Sequence, residues 1–250
     1  MHKKIILALS LVLCISLLGC QPSENDNTAN TDDGATLTSP TESQPSSLDT
    51  SIDSANDTLM NEDKEESSPE PEKIQWIDPA FEKYFSGGLG SKGYVTESEA
   101  AEVTQLIFTA EHIQDNHLSF DDLAHFPNLK SLTVRNEPNP NLNLSLDLTG
   151  LSLAPGIEEL SLANCNIYDI SPLSELKNLR ILLLQMNCFT DVSPIASLPA
   201  LEWLSIHKNP ISDISALSNL DKNVSLTISG TSISDLTPID HIINKEILFD

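Results

Sequence analysis

Four aspartates recur at one place in a repeating phrase: Asp169, Asp191, Asp213 and Asp235, each 22 residues after the last. Carboxylates stacked in this way could share a cation. Alternatively, each could cap its own tight turn. Cys165 and Cys188 sit in adjacent phrases, one position out of line. Either a disulfide or two separate thiols, Cys165 buried, fits that offset. The six histidines are scattered without metal-ligand spacing. His207 is the only one expected on a strand face, with no evident acid or nucleophile beside it. The chain has no G-x-S-x-G, H-E-x-x-H or phosphate-loop motif. The residues therefore predict no enzyme, no metal site and no cofactor.

The elements that must position these residues repeat with the same period. Ile157, Leu160 and Leu162 are followed at 22-residue intervals by Leu179, Leu182, Leu184 and by Leu201, Leu204, Ile206, then by a weaker copy with Leu226 and Ile228. Leu-x-x-Leu-x-Leu with a period of about 20–29 is the leucine-rich-repeat signature. One such unit buries too little apolar surface to offset its ordering entropy, so units must stack. Asn187 and Asn209, just past the strand, are expected to form a buried amide ladder, with Cys165 and Thr231 in the same place in the flanking units. Ser171, Ser193, Ser215 and Thr237 are expected as N-caps of short 3-10 turns, with Pro172, Pro194 and Pro238 in the first turn.

Two earlier units fit the strand template: Val103, Leu106, Phe108 and Leu129, Leu132, Val134. They are longer, with extra residues near Glu111–Leu118 and Glu137–Leu146 that are expected as loops on one edge. Pro138-Asn139-Pro140-Asn141 is turn chemistry. Ahead of them, Asp78-Pro79 predicts a helix start, with Phe81, Tyr84 and Phe85 on one face and Gly87-Gly88 as the stop. Thr96-Glu97-Ser98-Glu99 predicts a capping box. Residues 73–102 thus read as a helical cap over the first unit of a repeat domain spanning 103–250.

The start of the chain has a different character. His2-Lys3-Lys4 precedes the 14-residue apolar run Ile5–Leu18, which is short for a bilayer span. Leu17-Leu18-Gly19-Cys20 resembles the lipobox of bacterial lipoproteins. That resemblance implies a signal peptide over 1–19 and a lipid-bearing Cys20 as the first mature residue. Residues 20–72 contain no aromatic residue and carry a net charge of −13. Such composition does not fold, and predicts a tether of about 40 Å mean span.

The 22-residue unit with Asp-Ile-x-Pro-Leu and the helical cap resemble the internalin-like branch of leucine-rich-repeat proteins. The resemblance implies an α/β repeat solenoid: a right-handed horseshoe with a parallel concave β-sheet, a convex side of 3-10 turns and loops, and an N-terminal helical cap, and it implies that Asp169, Asp191, Asp213 and Asp235 each cap their own turn. The sequence departs from that family at its two long early units and at Asn223, which stands where a strand leucine belongs. It also shows no immunoglobulin-like domain after the repeats and no sorting signal at Asp250, ending on the half-unit Lys245–Asp250.

The whole chain carries −24 at neutral pH, which argues against nucleic acid as a partner. Function is expected on the outward strand positions. Most are small and polar, but Ile181, Leu183 and Trp203 are not. With Met186 alongside they predict an apolar patch centred on an aromatic anchor. Gln185, Ser205, His207 and Arg135 are expected on the same face, and Arg180 and His207 at the rim of the patch. The expected partner is a protein or peptide held on the concave face, with the membrane engaged through the N-terminal lipid. The family resemblance implies adhesion. A structural envelope protein that self-associates through its sheet edge and patch is the alternative.

Overall fold

The computed structural model describes residues 72–86, 92–136 and 144–247. The lipobox, the tether, Gly87-Gly88, the Pro138–Asn141 turn and the last three residues lie outside them. In chain order the elements are α1 (Pro79–Phe85), α2 (Glu97–Ala100), β1 (Gln105–Thr109), β2 (His117–Ser119), β3 (Ser131–Arg135), β4 (Ser145–Asp147), β5 (Glu159–Ser161), β6 (Ile181–Leu183), β7 (Trp203–Ser205), β8 (Ser225–Thr227) and β9 (Asn244–Glu246). Among the described residues six 3-10 turns, beginning at Asp121, Thr149, Ser171, Ser193, Ser215 and Thr237, each precede a strand of the larger sheet.

Seven strands form one parallel sheet in the order β1-β3-β5-β6-β7-β8-β9. Register follows the repeat: Leu106, Leu132, Leu160, Leu182, Leu204 and Leu226 stand in one row across the sheet. All six are buried. Because strand side chains alternate, fixing this row inward places Ile181, Leu183 and Trp203 on the other face. A parallel sheet in which each strand returns by a 3-10 turn, built from repeats of this signature, is a leucine-rich-repeat solenoid.

At β9, the last strand among the described residues, Lys245 pairs in register with Leu226. The Lys245 ammonium reaches out to donate to the carbonyls of Ile242 (2.9 Å) and Asp240 (3.3 Å). The aliphatic stem is thus left beside the last leucine. Asn223 is exposed, and Val224 takes the inward place that the repeat template gives to residue 223. The departure there is a shift of one residue, and the core remains apolar.

The extra residues of the two long units are only partly loop. They carry β2 and β4, which pair in parallel as a second sheet with Leu118 opposite Leu146. Just beyond that sheet, Gly150 lets the backbone close up. A Cβ there would lie 2.4 Å from the Phe120 carbonyl carbon.

Other short elements follow the local chemistry. Asp78 caps α1 by accepting from the Ala80 amide at 2.7 Å. Thr96 and Glu99 form the capping box of α2. Phe81 and Phe85 are buried, and Trp76 stacks on Phe85 at 5.0 Å between ring centres. The Tyr84 hydroxyl accepts from the Ile107 amide of edge strand β1 at 3.4 Å. The cap therefore covers a sheet edge that would otherwise offer free backbone groups.

A second attachment was not evident from the sequence. The fully buried Asp122 carboxylate accepts from the Ile77 and Asp78 amides at 2.7–3.1 Å. In return Asp78 accepts from the Ser119 amide at 2.6 Å. Cap and first unit thus exchange carboxylates. Burial pushes the Asp122 carboxyl above its ordinary range, and the two amides oppose that rise. His125 adds a contact to α2, its ring Nδ1 lying 2.7 Å from Glu97.

Candidate functional site

The turn aspartates are structural. The Ser171, Ser193, Ser215 and Thr237 amides donate to Asp169, Asp191, Asp213 and Asp235 at 2.8–2.9 Å, and the Thr149 amide likewise donates to Asp147. The serines and threonine are therefore the first residues of their turns and not the caps. The residues before them, such as Ile170 and Val192, make no side-chain cap bond. The correction has a simple cause: an Asp two residues upstream closes the turn, so the hydroxyl becomes a donor to that Asp. These hydrogen bonds hold the Asp147, Asp169, Asp213 and Asp235 carboxyls below the ordinary range, so the turns stay charged into mildly acid conditions. Among the described residues no cluster of three or more His, Cys, Asp or Glu could hold a metal.

Cys165 is a free, buried thiol, so the bridge to Cys188 is not formed. Burial pushes the Cys165 thiol up to about 12. Its sulfur points to the Ala163 carbonyl (3.3 Å), and its amide donates to Asn187 Oδ1 (2.9 Å). It thus occupies a place in the asparagine ladder.

The sheet face is where the apolar residues gather. Ile181 on β6 stands in register with Trp203 on β7, and Leu183 with Ser205. Ile181 and Leu183 are half-buried, while Trp203 is 39% exposed, which makes it an accessible aromatic. The next strands outward present Glu159 and Ser161 on β5, and Ser225 and Thr227 on β8. Three apolar side chains are therefore bounded on both sides by polar ones.

Other expected members are placed differently. Ser205 is buried, its hydroxyl 2.9 Å from His207 Nδ1. His207 does have a polar partner, contrary to the sequence reading. Burial, helped by Lys208, pushes its imidazole down, and Glu246 opposes this. Among the described residues no carboxylate hydrogen-bonds the other ring nitrogen, so the pair lacks the third member of a nucleophilic triad. Gln185 is half-buried, and its Oε1 is buried without a hydrogen-bond partner. Met186 is not alongside Ile181. It lies in the turn beyond β6 with φ 62°, its amide donating to the His207 carbonyl. Met186 thus stands three residues past the end of β6, beyond the strand that carries Ile181.

Arg180 also differs from a simple rim residue. Arg180 precedes β6 and forks onto Glu202 with bonds of 3.0 and 2.8 Å. It continues a line of ion pairs across units, Lys130 to Glu158 at 3.0 Å and Glu158 to Arg180 at 3.9 Å. The guanidinium holds the Glu202 carboxyl below its ordinary range. Arg135 ends β3, exposed, two strands before β6. The ion-pair line was missed in the sequence, although its signal was present: positions 158, 180 and 202 alternate in sign at the repeat spacing.

This geometry defines a class: a repeat solenoid with an exposed aromatic and aliphatic centre on its sheet, the surface that repeat proteins use for binding. A family model, Leucine Rich repeats (2 copies), matches residues 155–197 and again 177–219. No curated protein matches the chain. Among solved structures it is similar to internalin C2 of Listeria monocytogenes str. 4b F2365, at 23% identity and a TM-score of 0.44, over 69% of this chain and 93% of that one. It is also similar to an internalin, inlF, of the same strain, at 25% identity and a TM-score of 0.40, over 68% of this chain and 64% of that one.

Proposed function

We propose that the chain is a lipid-anchored bacterial surface protein that binds a protein or peptide through the open face of its sheet, in an adhesive role. The observation that carries the reading is the lateral register of Ile181 with Trp203, with Leu183 on the same face. Aromatic and aliphatic side chains side by side at the middle of an otherwise polar face have the composition of an interface centre. Trp203→Ala should weaken capture of the partner isolated with the wild-type chain by at least about 2 kcal/mol. The melting temperature should barely move, since the ring lies on the face opposite the core. Unchanged affinity and unchanged stability would place the partner elsewhere.

Anchoring rests on the Leu17–Cys20 box and the basic, apolar start. Several acyl chains on one cysteine would hold the chain at a membrane, since each buried methylene adds about 0.8 kcal/mol. Cys20→Ser should move the protein from the detergent phase to the aqueous phase, or leave an uncleaved precursor. Continued detergent partitioning after signal removal would end the lipidation assignment.

A further inference from the structure

The charges around the apolar centre are unequal. Glu159 stands on the strand before Ile181, in the same row as Ile181 and Trp203. Glu246 stands on β9, in the row of Leu183, Ser205 and Thr227. Both are exposed, and neither joins an ion pair among the described residues. They bracket the centre across about 19 Å, four strand spacings. The base nearest the centre, Arg180, is already held by Glu158 and Glu202, and Glu159 feels its field without pairing to it. Arg135 lies two strands before β6, and Lys208 in the turn beyond β7.

From residue 73 onward the chain carries 23 acids against 10 bases. Residues 20–72 carry a further net −13. Two occupants are therefore opposed by like charge: the chain's own acidic segment, and a second copy of the solenoid. A cationic segment is favoured twice over. The domain's field draws it in, and two carboxylates that stand outside the ion pairs receive it beside an indole face that itself attracts cations.

We propose that the occupant of this face is a basic segment of another protein, with Lys or Arg residues flanking an aliphatic or aromatic anchor. This rests on the partner-binding reading above and specifies its chemistry. The anchor sits against Ile181, Leu183 and Trp203, and the flanking cations meet Glu159 and Glu246.

The test is to pan a display library of short random peptides on the purified full chain, with the Trp203→Ala chain panned in parallel. The peptides enriched on wild type alone are then titrated. They should carry Lys or Arg near an apolar residue. Their affinity should fall at least about tenfold in the Glu159→Gln, Glu246→Gln double variant, and fall again as salt is raised to about 0.5 M. Melting of that variant should match wild type, which separates lost charge from lost fold. Winners that depend on Trp203 but are neutral or acidic, or that ignore the double variant, would overturn the charge assignment and leave the binding face standing. Enrichment that is the same on both chains would overturn the face itself. A Trp203-dependent dimer in sedimentation would make a second copy the occupant and would also overturn the proposal.

Discussion

Asn187→Ala should cost at least about 4 kcal/mol of stability, measured by urea unfolding. The Asn187 side chain accepts from the Cys165 and Ile167 amides at 2.9 and 3.1 Å, and donates to the Leu162 and Leu184 carbonyls at 2.8 and 2.9 Å. All four groups belong to the turns of two consecutive units. Alanine satisfies none of them, and each buried group left unpaired costs about 1–3 kcal/mol. The damage should spread, because Asn187's own amide is held by Asn209 Oδ1 at 3.0 Å. Thr190→Ala, exposed in the same unit, should stay within about 0.5 kcal/mol of wild type. A loss below about 1 kcal/mol at Asn187 would mean that water replaces the ladder without penalty.

Leu182→Ala should cost about 2–5 kcal/mol. Leu182 is fully buried between Leu160 and Leu204 in the row that crosses the sheet. Neither neighbour can collapse into the gap without leaving its own unit. Leu182→Ala and Leu204→Ala should therefore combine non-additively, by more than about 0.5 kcal/mol, as touching core residues do. Glu158→Ala removes only exposed ion pairs and should cost no more than about 1 kcal/mol. Equal losses at Glu158 and Leu182 would show the strand register to be wrong by one.

Both predictions concern residues that the sequence alone singled out, and the reason is periodicity. A solenoid repeats its physical environment every 22 residues, so Leu160, Leu182 and Leu204 report on one another, and Asn187 on Asn209. What occurs once had no such echo. Asp122 stands at the repeat position of Pro172, which hid its role as an acceptor for the cap's amides. The β2–β4 sheet arises in inserted residues that have no counterpart in later units. The turn hydroxyls were misassigned for another reason. Asp-x-Ser and Ser-Pro both read as turn starts, and only the hydrogen-bond directions separate them. At the candidate site, Ile181, Leu183 and Trp203 were legible because alternation fixes the face a side chain takes. The burial of Ser205, the Arg180–Glu202 fork and the remoteness of Met186 depend on neighbours in three dimensions, which periodicity does not rank.

Lys245 bears on how such a protein can change length over generations. A unit stacked against β9 would meet the stem of a lysine whose ammonium is committed to the Asp240 and Ile242 carbonyls, where an inner unit offers a leucine. Inside the array the seams are interchangeable. A tandem copy of residues 180–201 would set leucine beside leucine, asparagine beside asparagine and Asp-x-Ser beside Asp-x-Ser. Duplication within the gene can thus lengthen the solenoid in steps of one unit.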